Sequence, residues 1–159
     1  MDIRIGYGED IHRLVPNRKL ILCGVKIPFD LGLLGHSDAD VGFHALSDAL
    51  LGSLGLGDIG KYFPPNDPNI EGIDSLLIVK RCLQMVNEKG YKVSNVDLSL
   101  ITEEPHLAEY IAEMKKNVAM SLLIDESRVS IKAMTNEGLD AIGRGEAIKC
   151  VALVLVTKE

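Results

Sequence analysis

Apolar and polar positions take turns from the start of the chain. Ile3 to Tyr7 alternate with period two, which predicts a strand. A second extended stretch, LILCGVKI, runs from Leu20 to Ile27, with Pro16, Asn17 and Arg18 marking the turn between them. The pair reads as a strand and an N-terminal hairpin. A period of three to four then takes over. From Ser37 or Asp38, both good caps, a helix is expected to about Leu54, with Val41, Ala45, Leu46, Ala49 and Leu50 on its apolar stripe and Asp40, His44, Ser47 and Asp48 on another.

Gly55 to Gly72 reads as loop, because GDIGKYFPPNDP is too broken by proline and glycine for regular structure. Asp74 and Ser75 cap a helix to about Lys89 that buries Leu77 or Ile78 together with Cys82, Met85 and Val86, and Gly90 stops it. Val96, Leu98 and Leu100 alternate as a strand. Pro105 fits the first turn of a third helix carrying Leu107, Ile111, Met114, Val118 and Leu122. VSIKAMT is a strand, NEGLDAIGRGE a loop, and AIKCVALVLV a long strand whose nearly unbroken apolar run calls for cover on both faces. The sum is an α+β fold, a mixed four-stranded sheet with helices on one face plus the hairpin, leaving the other face free for a symmetric partner.

Composition narrows the function classes. At 159 residues the chain is one domain, 1–159, of a size that buries roughly 70% of its unfolded surface. The net charge of −6, with no cluster of Lys and Arg, argues against a nucleic-acid surface. No apolar run reaches the roughly 20 residues of a membrane helix, and MDIRIG begins a strand at once, so a soluble chain without a removable signal is expected. Cys23, Cys82 and Cys150 are odd in number and set in apolar runs, as suits reduced thiols in the cytoplasm.

Chemistry concentrates near the N-terminus. Asp10 and His12 lie two apart in GYGEDIHRL, on one face if the segment is extended, and His44 follows on a helix. One carboxylate and two imidazoles are the ligand set of a catalytic zinc that keeps a fourth position open. The same spacing also fits a turn cap, a surface histidine beside Arg13 and a histidine on a solvated helix face. His36, just before the expected helix, reads as a fourth ligand, a phosphate donor or a loop residue; free helix N–H groups favour the anion, and Ser37 adds a donor. Asp58 and Asp67 are solvated turn residues or a grip on substrate hydroxyls. Glu137, after Thr135, is an exposed loop carboxylate or a magnesium ligand shared with phosphate. Arg144, between Gly143 and Gly145, is a phosphate fork or a partner for Glu146. His106, after Pro105, reads as a surface residue.

Taken together, GYGEDIHRL, GLLGHSDADVGFHALSDALLG, LGDIGKYFPPNDP, the turn at Glu104 to Leu107 and IKAMTNEGLDAIGRGEAI resemble the 2-C-methyl-D-erythritol 2,4-cyclodiphosphate synthase family, in order and over nearly the whole chain. The resemblance implies a phosphorus–oxygen lyase of the non-mevalonate isoprenoid pathway. Its substrate would be 4-diphosphocytidyl-2-C-methyl-D-erythritol 2-phosphate, converted to the cyclic diphosphate with release of CMP. It further implies zinc on Asp10, His12 and His44, magnesium or manganese on Glu137, and His36 and Thr135 acting on the phosphates. Substrate contacts would come from Asp10, Ile11, His12, His36 and Ser37, from Asp58, Ile59, Gly60, Phe63, Pro64, Pro65, Asn66 and Asp67, and from Ala141 and Arg144. On the cytidine side they would come from Thr102, Glu103, Glu104, Pro105, His106, Leu107 and Ala108 with Met134, Thr135, Asn136 and Glu137. A homotrimer packed through its sheets, with sites between subunits and neither nucleic acid nor membrane as partner, completes the expectation. Two rivals stay open: a zinc-dependent nucleotide phosphodiesterase and a non-catalytic trimeric small-ligand binder.

Overall fold

The computed structural model describes Met1–Glu159. The elements in chain order are β1 (Asp2–Pro16), β2 (Leu20–Leu22), β3 (Val25–Ile27), β4 (Leu31–Leu33), α1 (Val41–Ser53), α2 (Ile59–Tyr62), α3 (Ser75–Glu88), β5 (Lys92–Ile101), α4 (Ile111–Leu122), β6 (Val129–Met134), α5 (Asp140–Gly143) and β7 (Ala147–Lys158). Single 3-10 turns stand at Pro68–Ile70, Ala108–Tyr110 and Glu126–Arg128. The sheet is mixed and has five strands in the order β4-β1-β7-β5-β6, not four. Only β5 and β6 run parallel. The additional strand is β4, three residues paired to the end of β1 through Leu14 and Leu33. It is too short to leave an alternation signal.

The expected N-terminal hairpin also changes partners. β1 continues to Pro16 and pairs with β7 along its length, while LILCGVKI folds upon itself as the separate pair β2–β3. Cys23 and Gly24 make that turn with φ of 47° and 74°, so a run that looks continuous in sequence reverses direction. Other boundaries move for local reasons. Helix α1 starts at Val41 and is capped by Asp40, not by Ser37 or Asp38, because the Asp40 carboxylate accepts from Phe43 N. The proline-rich loop contains α2 and a 3-10 turn, begun by Asp58 and Asp67. Pro105 lies outside the third helix, which begins at Ile111. On α3, Ile78 is buried and Leu77 is exposed.

Helix α1 rests on β1 and β7, α4 on β6, and α3 packs against α1 and α4. Even-numbered residues of β7 from Ile148 to Val156 face this layer and are sealed. Odd-numbered ones face the other way, and there Leu153 is 43% exposed beside Tyr7 and Ile5 at 56% and 68%. The long apolar strand is therefore covered on one face only within the chain.

The helix layer sits unusually close to β1. A Cβ on Gly6 would lie 1.8 Å from the Ala49 carbonyl oxygen, and one on Gly8 2.0 Å from that of Ala45. Both glycines point at α1, on the face shared by Asp10 and His12. Their missing side chains let helix backbone touch strand backbone.

Candidate metal centre

Asp10 and His12 lie opposite Cys150 and Ile148 of β7, in the second half of β1. His44 occupies the first turn of α1 and is 7% exposed. Asp40 fixes that turn. Wholly buried, it accepts from Cys23 N at 2.8 Å, Gly24 N at 2.7 Å and Phe43 N at 3.1 Å, tying the helix start to the β2–β3 turn. Burial pushes its carboxyl up to about 6 against the pull of those three donors.

Three donor atoms converge. His12 Nε2 lies 2.7 Å from Asp10 Oδ2, His44 Nδ1 lies 3.1 Å from the same oxygen, and the two nitrogens are 3.3 Å apart. A tetrahedral zinc with bonds of about 2.0 to 2.1 Å spaces its ligand atoms by roughly 3.3 Å. The triangle therefore needs little opening to admit an ion. The outer nitrogens are already engaged: His12 Nδ1 donates to Leu34 O at 2.7 Å, and His44 Nε2 is 3.0 Å from Ser37 Oγ and 2.9 Å from Ser75 Oγ. Both rings thus turn a ligating nitrogen inward, the arrangement of a built metal site. Burial works against ionisation of Asp10, yet hydrogen bonds to the two imidazoles hold its carboxyl at about 2. Burial likewise works against charge on His12, and the Asp10 contact overcomes it and raises the imidazole. Nitrogen, nitrogen and carboxylate oxygen suit zinc, so the residues present fit the group.

The triad lies in a cleft of about 460 Å³ that is also lined by His36, Ser37, Asp48, Ile59, Gly60, Phe63 and Pro65. His36 is exposed here, but α1 begins five residues later and Asp40 already fills its N-terminus. Free helix N–H groups at His36 are thus absent. Asp58 and Asp67 accept from Lys61 N and Asn69 N, so each carboxylate caps a short turn and thereby shapes the loop. Ile11 points to the opposite face of the sheet and is 52% exposed.

Sequence reasoning missed three polar neighbours. Asp48 lines the cleft and accepts from Ile59 N at 2.8 Å, pinning α2 to α1. Ser75 and Asp38 stand behind His44. Asp48 lies one turn beyond His44 on the same stripe, whereas Ser75 carries no spacing signal, since its contacts to His44 and Asp38 span 31 and 37 residues.

The remaining residues lie elsewhere. Register runs from Ile11 to Lys149, from Lys149 to Ile101 and from Ile101 to Met134. Met134 is thus three strand spacings, about 14 Å, from the metal strand. Around it Glu103 accepts from Asn136 N at 2.9 Å and Gly138 N at 3.2 Å, fastening the Thr135–Glu137 turn to the Thr102–Ala108 turn. Thr102 donates to the Glu104 carbonyl at 2.6 Å, Pro105 follows a cis bond, and His106 and Thr135 are exposed. Arg144 pairs with Glu146 at 2.9 Å. A single chain therefore carries two groups of candidate residues near the same end of the sheet but toward opposite edges.

Comparison with known proteins gives consistent results. A model described as the YgbB family matches residues 3–157. A protein of Brachyspira hyodysenteriae named 2-C-methyl-D-erythritol 2,4-cyclodiphosphate synthase is 51% identical over 158 residues, covering 98% of this chain and 100% of its own length. A solved structure of such a synthase in a CDP-bound form has a TM-score of 0.90 at 38% identity, covering 97% of this chain and 100% of that one. A bifunctional enzyme of Campylobacter jejuni matches with a TM-score of 0.95 at 37% identity, covering 99% of this chain and 43% of that longer one.

Proposed function

The chain belongs to the YgbB family, and from that membership we infer a phosphorus–oxygen lyase that makes 2-C-methyl-D-erythritol 2,4-cyclodiphosphate in the non-mevalonate isoprenoid pathway. The substrate is 4-diphosphocytidyl-2-C-methyl-D-erythritol 2-phosphate and the leaving group is CMP. The observation that carries the reading is the convergence of Asp10, His12 and His44 at a cleft large enough for a small phosphorylated ligand. The CDP-bound relative supports the cytidine side.

Asp10, His12 and His44 would hold zinc, which supplies Lewis-acid polarisation of a phosphate oxygen, and Glu137 would hold a second ion, magnesium or manganese. The chain's own residues bring the ends of one flexible molecule together. The 2-phosphate oxygen attacks the β-phosphorus, a new P–O bond forms, and the bond to the CMP oxygen breaks. No protein nucleophile is required. Alignment of both groups supplies effective molarities of about 10⁵ to 10⁸ M. His36 on the cleft rim and Thr135 after β6 orient the phosphates, and the Asp58–Asp67 loop receives the erythritol end. The Thr102–Ala108 and Met134–Glu137 turns, with Ala141 and Arg144 nearby, form the cytidine side. Water is kept from the β-phosphorus, since hydrolysis would give a linear product.

A homotrimer unites the two groups of residues by placing the β6 edge of one copy beside the β1 edge of the next. The uncovered Ile5, Tyr7 and Leu153 face supports that assembly. Residues 1–159 act as one synthase domain, and the buried free Cys23, Cys82 and Cys150 support a reducing, cytoplasmic setting.

Incubation with the cytidylyl substrate tests the reaction: CMP and a cyclic diphosphate by phosphorus NMR are expected, and a linear phosphate product would replace the synthase by a phosphodiesterase. Asp10→Ala and His12→Ala are expected to abolish turnover while leaving the circular-dichroism spectrum and the oligomer intact. Full activity in metal-stripped protein would remove the metal role.

A further inference from the structure

We propose that Ser75 and Asp38 are positioning residues that fix His44 in the tautomer needed to ligate a divalent metal through Nδ1. The proposal rests on the reading of Asp10, His12 and His44 as metal ligands and adds to it a buried relay behind the helix histidine.

Proton direction can be followed atom by atom. Asp38 Oδ1 accepts from Asp40 N at 3.0 Å and Oδ2 accepts from Ser75 N at 3.0 Å, so both oxygens serve as acceptors. The Ser75 hydroxyl also donates to Asp38 Oδ1. An ionised carboxylate only accepts, so the Ser75 proton is committed to Asp38. Ser75 Oγ is then left with lone pairs toward His44 Nε2, 2.9 Å away, and that nitrogen must donate. An imidazolium donates from both nitrogens and so hydrogen-bonds Asp10 through Nδ1; the neutral ring, keeping its proton on Nε2, turns the Nδ1 lone pair toward Asp10 Oδ2 and His12 Nε2, where an ion would take it.

The second hydroxyl near His44 does not give the same instruction. Ser37 Oγ accepts from Ala39 N at 3.1 Å, and the structure commits its own proton to no acceptor other than His44. Its hydroxyl can therefore serve either tautomer. Ser75 is wholly buried at the start of α3, and Asp74, not Ser75, is the cap of that helix. Loss of the Ser75 hydroxyl consequently leaves the helix cap in place. His12 is set the opposite way: its Nδ1 donates to the Leu34 carbonyl, which frees Nε2. The chain thus selects opposite tautomers in its two imidazoles, one through a backbone carbonyl and one through a serine–carboxylate relay. Carboxylate partners of this kind raise ligand basicity and hold ring orientation.

The experiment uses the full-length protein. Zinc affinity is measured by chelator competition in the wild type, Ser75→Ala, Asp38→Asn and Ser37→Ala, with circular dichroism as the check of folding. Ser75→Ala and Asp38→Asn are expected to weaken zinc binding about 10- to 100-fold, the usual cost of losing an outer partner, and Ser37→Ala is expected to weaken it much less. Long-range proton–nitrogen correlation on metal-free wild type at a pH where His44 is neutral is expected to show Nε2–H on His44, with the Nδ1–H form appearing in both relay variants. A merely structural role would not move that signature. Wild-type His44 carrying its proton on Nδ1 overturns the proposal even if a variant fails to fold, as do folded relay variants that bind zinc as tightly as wild type. A wild type that takes up no zinc would instead defeat the underlying metal reading.

Discussion

In the metal-free protein, Asp10 and His12 titrate against one another, and the directions of their shifts set a pH window. Asp10 is depressed from 3.8 to about 2, so its contribution to stability is present above 3.8 and is lost as pH falls through about 2. His12 is raised above 6.5, so its contribution is present below 6.5 and is lost as pH rises through the folded value. Zinc requires the imidazoles unprotonated, which reverses the second dependence. The difference in melting temperature between zinc-saturated and metal-free protein is therefore expected to widen from about pH 5.5 to about pH 8. Scanning calorimetry at several pH values checks this, and a constant difference would separate His12 from the ion. At this scale the sequence displayed the ligands but not their supports. Asp10 and His12 share a strand face by simple alternation, and His44 shows its helical stripe. Ser75, 31 residues from His44, touches it only because α3 packs on α1.

Elements were legible wherever an apolar pattern ran for several residues, as in α3, α4, β5 and β7. They were hidden where geometry came from a turn or from a few residues. The positive φ at Cys23 splits LILCGVKI into two strands, and β4 consists of three residues recognisable only through their partner Leu14–Pro16. Helix α1 begins later than Ser37 or Asp38 because HSDAD holds a third residue able to cap, Asp40, which the helical period had placed on a stripe with His44. Only the buried contacts of Asp40 to Cys23 and Gly24 decide among them. The glycine seat beneath α1 gives an element-scale prediction. Gly8→Ala forces a methyl toward a backbone carbonyl that no rotamer change can remove, and is expected to cost about 1–3 kcal/mol in urea unfolding. It is also expected to weaken zinc binding by shifting His44 away from Asp10. A variant as stable as wild type with unchanged zinc affinity would show that α1 can lift without harm.

For the whole molecule, the proposed trimer predicts that activity depends on association, because Asp10 and His12 lie apart from the β6 turn within one chain. Ile5→Asp, placed on the uncovered sheet face, is expected to yield smaller species by light scattering and to lose turnover together with assembly; full turnover from a monomer would refute shared sites. Mixing offers a second measure. His44→Ala and Glu137→Ala proteins, each inactive alone, are expected to regain part of the wild-type rate after joint refolding, because some interfaces would join an intact metal triad to an intact β6 turn. No recovery in verified mixed oligomers would place both groups in separate roles. The sequence signalled an uncovered apolar strand, but not which sheet edge each group of residues occupies, since strand order is set by pairing between distant segments.

Gly6 and Gly8 remove the hydrocarbon cushion that ordinarily separates a helix from a sheet. Where peptide rests on peptide, the gap from Asp10 to His44 is gauged by covalent dimensions and not by compressible side chains. Refilling the oily interior around Leu46 or Leu50 would then alter how firmly the molecule holds together while leaving the aperture for the ion almost the same width.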